Sequence, residues 1–432
     1  MTQPDSPIEN PSVAIHYQEN STHWPSVLQF VFSTLAIIGL WGFALLSFAL
    51  GMTDGAQGIG SLDNTLSLFL ISAIAFAGGL LVIPSSALSL RRITGRRVTS
   101  YPRILAWIRP GLIIFLFPLV LLLGHLVITY TNYSWLLLPA LHVLAILIPI
   151  SWLLYLLVRG LPLGSHQRSW GVFDSGLVLG PLLVLLAELL AIAAFITFAL
   201  VYVFNQPGLY DEIMSLMDEL STVAPSSETI IQLLAPYLAS PWMLFAVLAF
   251  AAVVVPLIEE AIKPIGVWLL VGRDLSPAEG FAAGALSGAG FALFESLMIT
   301  SGGTDWAISV VVRISTAIIH MFTASLMGWA LVTAWGQKRY LKLGITYLGV
   351  VLLHGTWNGL TLAMTANDLL PQFGQSPNSP ILSIIGTLTP YILGTITIIL
   401  LIAILQTNRH FRNAGNGDTR VDQNSQNNTG IV

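Results

Sequence analysis

Residues 242–270, WMLFAVLAFAAVVVPLIEEAIKPIGVWLL, form an apolar run with three charges inside five positions: Glu259, Glu260 and Lys263. A bilayer-spanning helix needs about 20 mostly apolar residues, so the run is long enough to cross. Ionisable groups in hydrocarbon are costly, avoid lipid, and pair around an ion, a proton path or a reaction centre. Reading outward, the same combination recurs in FALFES (291–296), RISTAIIHMFTASLMG (313–328) and LLHGTWNG (353–360). Four such groups on four consecutive apolar segments are hard to account for by packing alone.

The rest of the chain agrees with a membrane setting. It has 432 residues, 55% hydrophobic and only 9% charged, against roughly 25% charged in soluble domains. Ten apolar segments are legible, at 27–51, 65–90, 107–129, 135–158, 178–204, 242–270, 279–301, 307–335, 343–366 and 382–406. The fold class is therefore an all-α polytopic transmembrane helix bundle of about ten helices. The absence of cysteine excludes disulfides, thiolate catalysis and Cys-ligated metals. A net charge of −4 gives no sign of nucleic-acid binding. The polar start lacks the basic region of a cleavable signal peptide, so the first apolar segment reads as a retained helix.

The basic residues are distributed on one side. Arg91, Arg92, Arg96, Arg97 and Arg103 lie between segments 2 and 3, Arg159 and Arg168 after segment 4, and Arg273 after segment 6. Lys338, Arg339 and Lys342 follow segment 8, and Arg409, Arg412 and Arg420 follow segment 10. Only Arg109, Lys263 and Arg313 fall within or at the edge of a segment. The positive-inside rule then predicts a multi-pass protein of the cytoplasmic (plasma) membrane with both termini in the cytoplasm.

Organisation along the chain follows. Residues 1–26 and 407–432 read as disordered cytoplasmic tails, 27–158 as a four-helix N-terminal module, and 178–406 as the core, with motif helices at 242–366. His125 and His142 each stand alone in apolar runs and read as packing residues. Glu188 is an isolated carboxylate in the fifth segment. In the outer loop 205–240, Leu209, Ile213, Leu216, Met217 and Leu220 recur at helical spacing, which predicts an amphipathic surface helix.

Each motif has a physical reading. Lys263 lies three and four residues beyond the two glutamates and can reach back to either. Pro256 and Pro264 loosen the helix around them. Gly280, Ala283, Gly284, Ser287 and Gly288 make a small-residue stripe that allows close helix contact and would press Glu295 toward the polar neighbours. Arg313 and His320 are two turns apart on one face, and His354 and Asn358 share another. Three glutamates against Lys263 and Arg313 leave about one formal negative charge, which a proton, an imidazolium or a metal ion could neutralise. Such a set can position a water, take its proton and stabilise an oxyanion.

In this order, Glu259-Glu260-x-x-Lys263, Phe291-x-x-x-Glu295, Arg313…His320…Gly328 and His354-x-x-x-Asn358 resemble the PrsW family of intramembrane proteases. That family is similar to the CAAX prenyl-protease and bacteriocin-processing membrane enzymes. The resemblance covers roughly 240–366 and extends from the fifth to the tenth segment; it leaves out the first four. Ser296 stands where an asparagine is expected after the glutamate. The resemblance implies hydrolysis of a peptide bond within or beside the membrane segment of a single-pass protein, an anti-sigma-factor-like regulator being typical. It also implies the catalytic set Glu259, Glu260, Glu295, His320, His354 and Asn358, supported by Lys263, Arg313 and Phe291. Glu259 would activate the water, helped by Glu260 or Glu295, while His354 and Asn358 would stabilise the oxyanion.

Two versions of the chemistry are open. The favoured one is metal-free, with a glutamate as general base and no cofactor. In the other, zinc is held by His320, His354, Glu259 and Glu295. Two other function classes compete: an ion- or proton-coupled transporter, and a non-catalytic scaffold for membrane helices. The first four segments lack counterparts to the acidic motifs, which argues against the inverted repeat common in transporters.

Overall fold

The computed structural model describes residues 23–57, 62–96, 110–206, 208–222, 241–298, 305–369 and 380–428. Among them the chain is helical throughout. The first two helices, α1 (Trp24–Gln57) and α2 (Leu62–Ile93), pack as a hairpin. After a 3₁₀ turn at Pro110–Phe115 come α3 (Leu116–Tyr130) and α4 (Ser134–Val158). The chain continues through α5 (His166–Asp174), a π-helical turn (Ser175–Leu179), α6 (Gly180–Phe204) and α7 (Leu209–Thr222). Next are α8 (Pro241–Ala249), a second π turn (Phe250–Val254), α9 (Val255–Ile262) and the short α10 (Ile265–Trp268). The last four are α11 (Pro277–Leu297), α12 (Trp306–Gln337), α13 (Tyr340–Leu369) and α14 (Pro380–Asn428).

Among the described residues, nine helical stretches are long and apolar enough to cross a membrane, so the protein is a multi-pass membrane protein. The tenth expected segment, 343–366, is present within α13 but is not among the nine. It carries His354, Thr356, Asn358, Thr361 and Thr365 in its C-terminal half, and those polar groups lower its hydropathy. The expected surface helix is α7, with Asp211 and Glu212 in its first turn, where carboxylates complement the helix dipole. The remainder of that loop, 223–240, and the N-terminal tail to residue 22 lie outside the described residues. At the other end, α14 runs beyond the expected membrane limit at 406 to Asn428.

The centre of the bundle is α11, buried along nearly its whole length. Its start is fixed by a capping box between Ser276 and Glu279, with Pro277 in the first turn. The small-residue stripe does what its composition predicts. A Cβ on Gly284 would stand 2.2 Å from the Ala324 carbonyl oxygen, and one on Gly328 of α12 would stand 2.3 Å from the Gly280 oxygen. On its other side, a Cβ on Gly290 would stand 2.4 Å from the Phe173 oxygen. The central helix is thus gripped from two sides at backbone distance. Gly284→Val should force α11 and α12 apart and cost several kcal/mol, in the upper range for overpacking. An unfolding titration in detergent checks this.

The first four helices share the core with the rest. One continuous apolar cluster includes Leu70, Leu138, Ala285, Ile319 and Ile404. His142 on α4 stitches the ends of two later helices. Trp306 Nε1 donates to His142 Nδ1 at 3.1 Å, so Nε2 carries the proton toward the Leu297 carbonyl, also at 3.1 Å. His142 is therefore a hydrogen-bonded packing residue, as its isolation predicts; His125 is exposed.

Candidate active site

The two π turns and the break after α9 shape the site. Lys263 ends α9, Pro264 has no N–H to continue it, and α10 restarts two residues on. Ser287 from the central helix seals this break. Its hydroxyl donates to the Lys263 carbonyl at 2.6 Å and accepts from the Gly266 amide at 3.2 Å. Nearby, Tyr347 donates to the Leu257 carbonyl at 2.7 Å, and the Asn358 amide donates to the Ala251 carbonyl at 3.0 Å. Backbone oxygens that a regular helix would have used internally are thus taken up by side chains of α11 and α13.

The side chains held by this frame converge on the Lys263 ammonium, which is fully buried. Its Nζ lies 2.8 Å from Glu260 Oε1, 3.0 Å from Glu259 Oε2, 2.5 Å from His320 Nδ1 and 3.3 Å from His354 Nδ1. Phe291 closes one side, its ring centroid 5.3 Å from Nζ and 5.6 Å from the His320 ring. The expected assembly of four motifs into one centre is what the structure shows, with Lys263 in the middle.

Proton positions follow from these contacts. The ammonium has only hydrogens to give, so His320 Nδ1 accepts and its proton sits on Nε2, 2.6 Å from Glu295 Oε2. That pair is close but out of line for a hydrogen bond. The other Glu295 oxygen takes Arg313 at 3.0 Å. His354 Nδ1 lies 2.9 Å from Glu260 Oε1 and donates to it, which leaves the Nε2 lone pair on the side of Glu259, 4.0 Å from its Oε2.

The three glutamates therefore differ. Glu260 is wholly enclosed between Lys263 and His354. Glu259 is 8% exposed, and its Oε2 has no aligned hydrogen-bond donor. Glu295 and Arg313 have side chains 29% and 27% exposed and form the outer edge. Asn358, expected to act on an oxyanion, spends one amide hydrogen on the Ala251 carbonyl. Ser296, in the place of the expected amide, is buried. Two contributors escape a motif reading. Ser287 looks like one more small residue of the stripe. Glu188 on α6 lies near enough to interact with the charges of Glu259, Glu295 and Lys263; its only signal is a lone carboxylate in an apolar helix.

Donor atoms of Glu259, His320 and His354 lie within 4.8 Å of one another. Two imidazoles and a carboxylate form a donor set suited to a divalent cation such as zinc. Glu259 Oε2 and His320 Nε2 are also buried atoms without an aligned partner, so once His320 gives up its Nε2 proton the residues fit a metal. The Glu260 carboxylate on His354 Nδ1 is the contact that orients an imidazole to ligate through its other nitrogen.

Comparison with known proteins agrees with this geometry. Neither the curated proteins nor the solved structures gave a match. A family model described as PrsW family intramembrane metalloprotease matches residues 180–385. That span contains Glu259, Glu260, Lys263, Glu295, Arg313, His320, His354 and Asn358, and the match supports a membrane protease function. Over residues 180–385, which hold every charged group of the centre, the chain is similar to the PrsW family of intramembrane metalloproteases.

Proposed function

We propose that the protein is an intramembrane endopeptidase that hydrolyses a peptide bond in or next to the membrane segment of a single-pass protein, using a water activated by Glu259. The observation that carries this reading is the division of labour between the adjacent glutamates. Each keeps an Oε2 without an aligned donor, but Glu260 is fully enclosed, its Oε1 held by an ammonium and an imidazole, whereas Glu259 is 8% exposed at the edge of the cluster. A carboxylate oxygen that accepts no aligned hydrogen bond is suited to accept a proton from water. The same oxygen can return that proton to the departing amine. His354, once protonated at Nε2, can donate to the carbonyl oxygen as it becomes negative. Arg313 and the second amide hydrogen of Asn358 are further donors at the margin.

Glu259, His320 and His354 would hold a divalent metal, which when bound lowers the pKa of its water and supplies the nucleophile near neutral pH. The family description and the buried three-residue group favour this metal-dependent version over the metal-free one that the sequence alone favoured. Zinc is the proposed ion. Metal analysis of the purified full chain should find about one zinc per chain, and chelation should abolish cleavage until zinc is restored. Full activity at no bound metal would defeat this version and leave Glu259 as sole activator of the water. The proposed substrate is an anti-sigma-factor-like regulator, cut on the side away from the basic loops. New protein N-termini that arise in membranes only when Glu259 and Glu260 are intact would identify it.

A further inference from the structure

A cavity outside the catalytic cluster lies at the end of the bundle that carries the basic loops. It holds about 590 Å³ between α1, α2, α5, the first π turn and α10, a size common among sites for small organic ligands. Its interior is apolar, with Leu28, Phe32, Leu179, Leu269 and Leu270 in the walls. Leu28 and Leu269 are 67% and 60% exposed. Leu28 belongs to a helix long and apolar enough to cross a bilayer, whose hydrocarbon would meet that side of the cavity.

Around it stand Arg92, Arg168, Arg273 and His23. Arg168 is spoken for by Glu279 at 2.6 Å. Among the described residues Arg92 touches only neutral groups, Gln167 Oε1 at 3.2 Å and His23 Nε2 at 3.4 Å. The Arg273 guanidinium has no carboxylate or hydrogen-bond acceptor among the described residues. Partial burial, followed by the Arg92 and Arg273 charges, holds the His23 imidazole below its usual range; the two arginines thus act on one spot. A single carboxylate, Asp174, lies buried at the cavity wall. Gln29 and Gln167, joined to each other at 3.0 Å, complete a polar rim that bridges α1 and α5.

We propose that this cavity binds one anionic phospholipid, with the phosphate at Arg92 and Arg273, Arg168 beside them, and an acyl chain along the apolar walls. Guanidinium groups match phosphate oxygens in pairs, and basic pockets between membrane helices suit anionic headgroups. A free phosphate would use the arginines and leave the leucine walls without an occupant. An acyl chain lying there would touch Leu269 and Leu270, a few residues beyond Lys263.

The test is native mass spectrometry of the full chain in detergent, offered phosphatidylglycerol and phosphatidylcholine with identical acyl chains. One retained phosphatidylglycerol per chain is expected, preferred about tenfold or more over phosphatidylcholine, as for a charge-assisted contact. Arg92→Gln with Arg273→Gln should remove that preference. Leu179→Trp, which keeps every charge and fills the interior, should reduce retention of both lipids. Equal retention of the two lipids by the wild type would overturn the proposal, as would unchanged retention in Leu179→Trp. Displacement of the lipid by millimolar inorganic phosphate or by a short acidic peptide would also overturn it, and would mark a site for those ligands instead.

Discussion

Glu259→Gln is expected to lower cleavage of a membrane substrate in proteoliposomes by about three orders of magnitude, the scale of a lost general base, without a comparable loss of stability. The amide oxygen can still face Lys263 in place of Oε2, and Glu260 continues to neutralise the ammonium from the other side. What disappears is the capacity of the unclaimed oxygen to hold a proton or ligate a metal. Glu260→Gln differs in kind, because it removes the wholly buried charge that balances Lys263, and it should weaken folding along with turnover. The comparison of the two adjacent variants is the informative experiment. Activity of Glu259→Gln within tenfold of wild type, at equal protein level, would end the assignment.

Lys263→Met should be among the most destabilising substitutions in the chain. Methionine fills a similar volume but strands Glu260, which is 0% exposed, beside Glu259 with no cation at hydrogen-bond distance. Removing one partner of a buried ion pair typically costs about 3–5 kcal/mol, because the remaining charge is left uncompensated. The loss should appear as a lower midpoint in a detergent unfolding titration. Adding Glu260→Gln to Lys263→Met should recover much of it, since the stranded charge is then gone. A single variant as stable as the wild type would mean that the ammonium is not the hub of the cluster.

Much of this centre was legible beforehand because charge in an apolar run is a conspicuous signal. Glu259, Glu260, Lys263, Glu295, Arg313, His320 and His354 announce themselves by cost alone, and the spacing Gly280–Gly284–Gly288 predicts the tight seam with α12. The hub was harder to see. Helical spacing lets Lys263 reach a glutamate, yet only the break at Pro264 and the approach of α12 and α13 show that both histidines also reach it. Asn358 shares the face read for it, but its bond to the Ala251 carbonyl depends on the π turn before Pro256, a proline that marks a loosened helix without saying which carbonyl is freed. Ser287, a hydroxyl in a row of small residues, gave no hint that it seals a helix break. The cavity of Arg92 and Arg273 joins residues nearly 200 positions apart, each of which reads alone as an ordinary basic loop residue.

The π turn at Phe250–Val254 makes chain length itself part of the chemistry. Such a turn holds one residue more than an α-helix of the same rise. Deleting any one of its five residues would let an ordinary helix close, with no catalytic side chain altered. The helix before it would keep its face toward Glu259 and Glu260, but the widened turn of carbonyls would be gone. The Ala251 oxygen would leave Asn358, and the Ala252 oxygen, 2.1 Å from where a Cβ on Gly355 would stand, would leave its notch in α13. Substitution scans would score this apolar stretch as permissive, whereas a scan of single-residue deletions would find it among the least tolerant places in the chain.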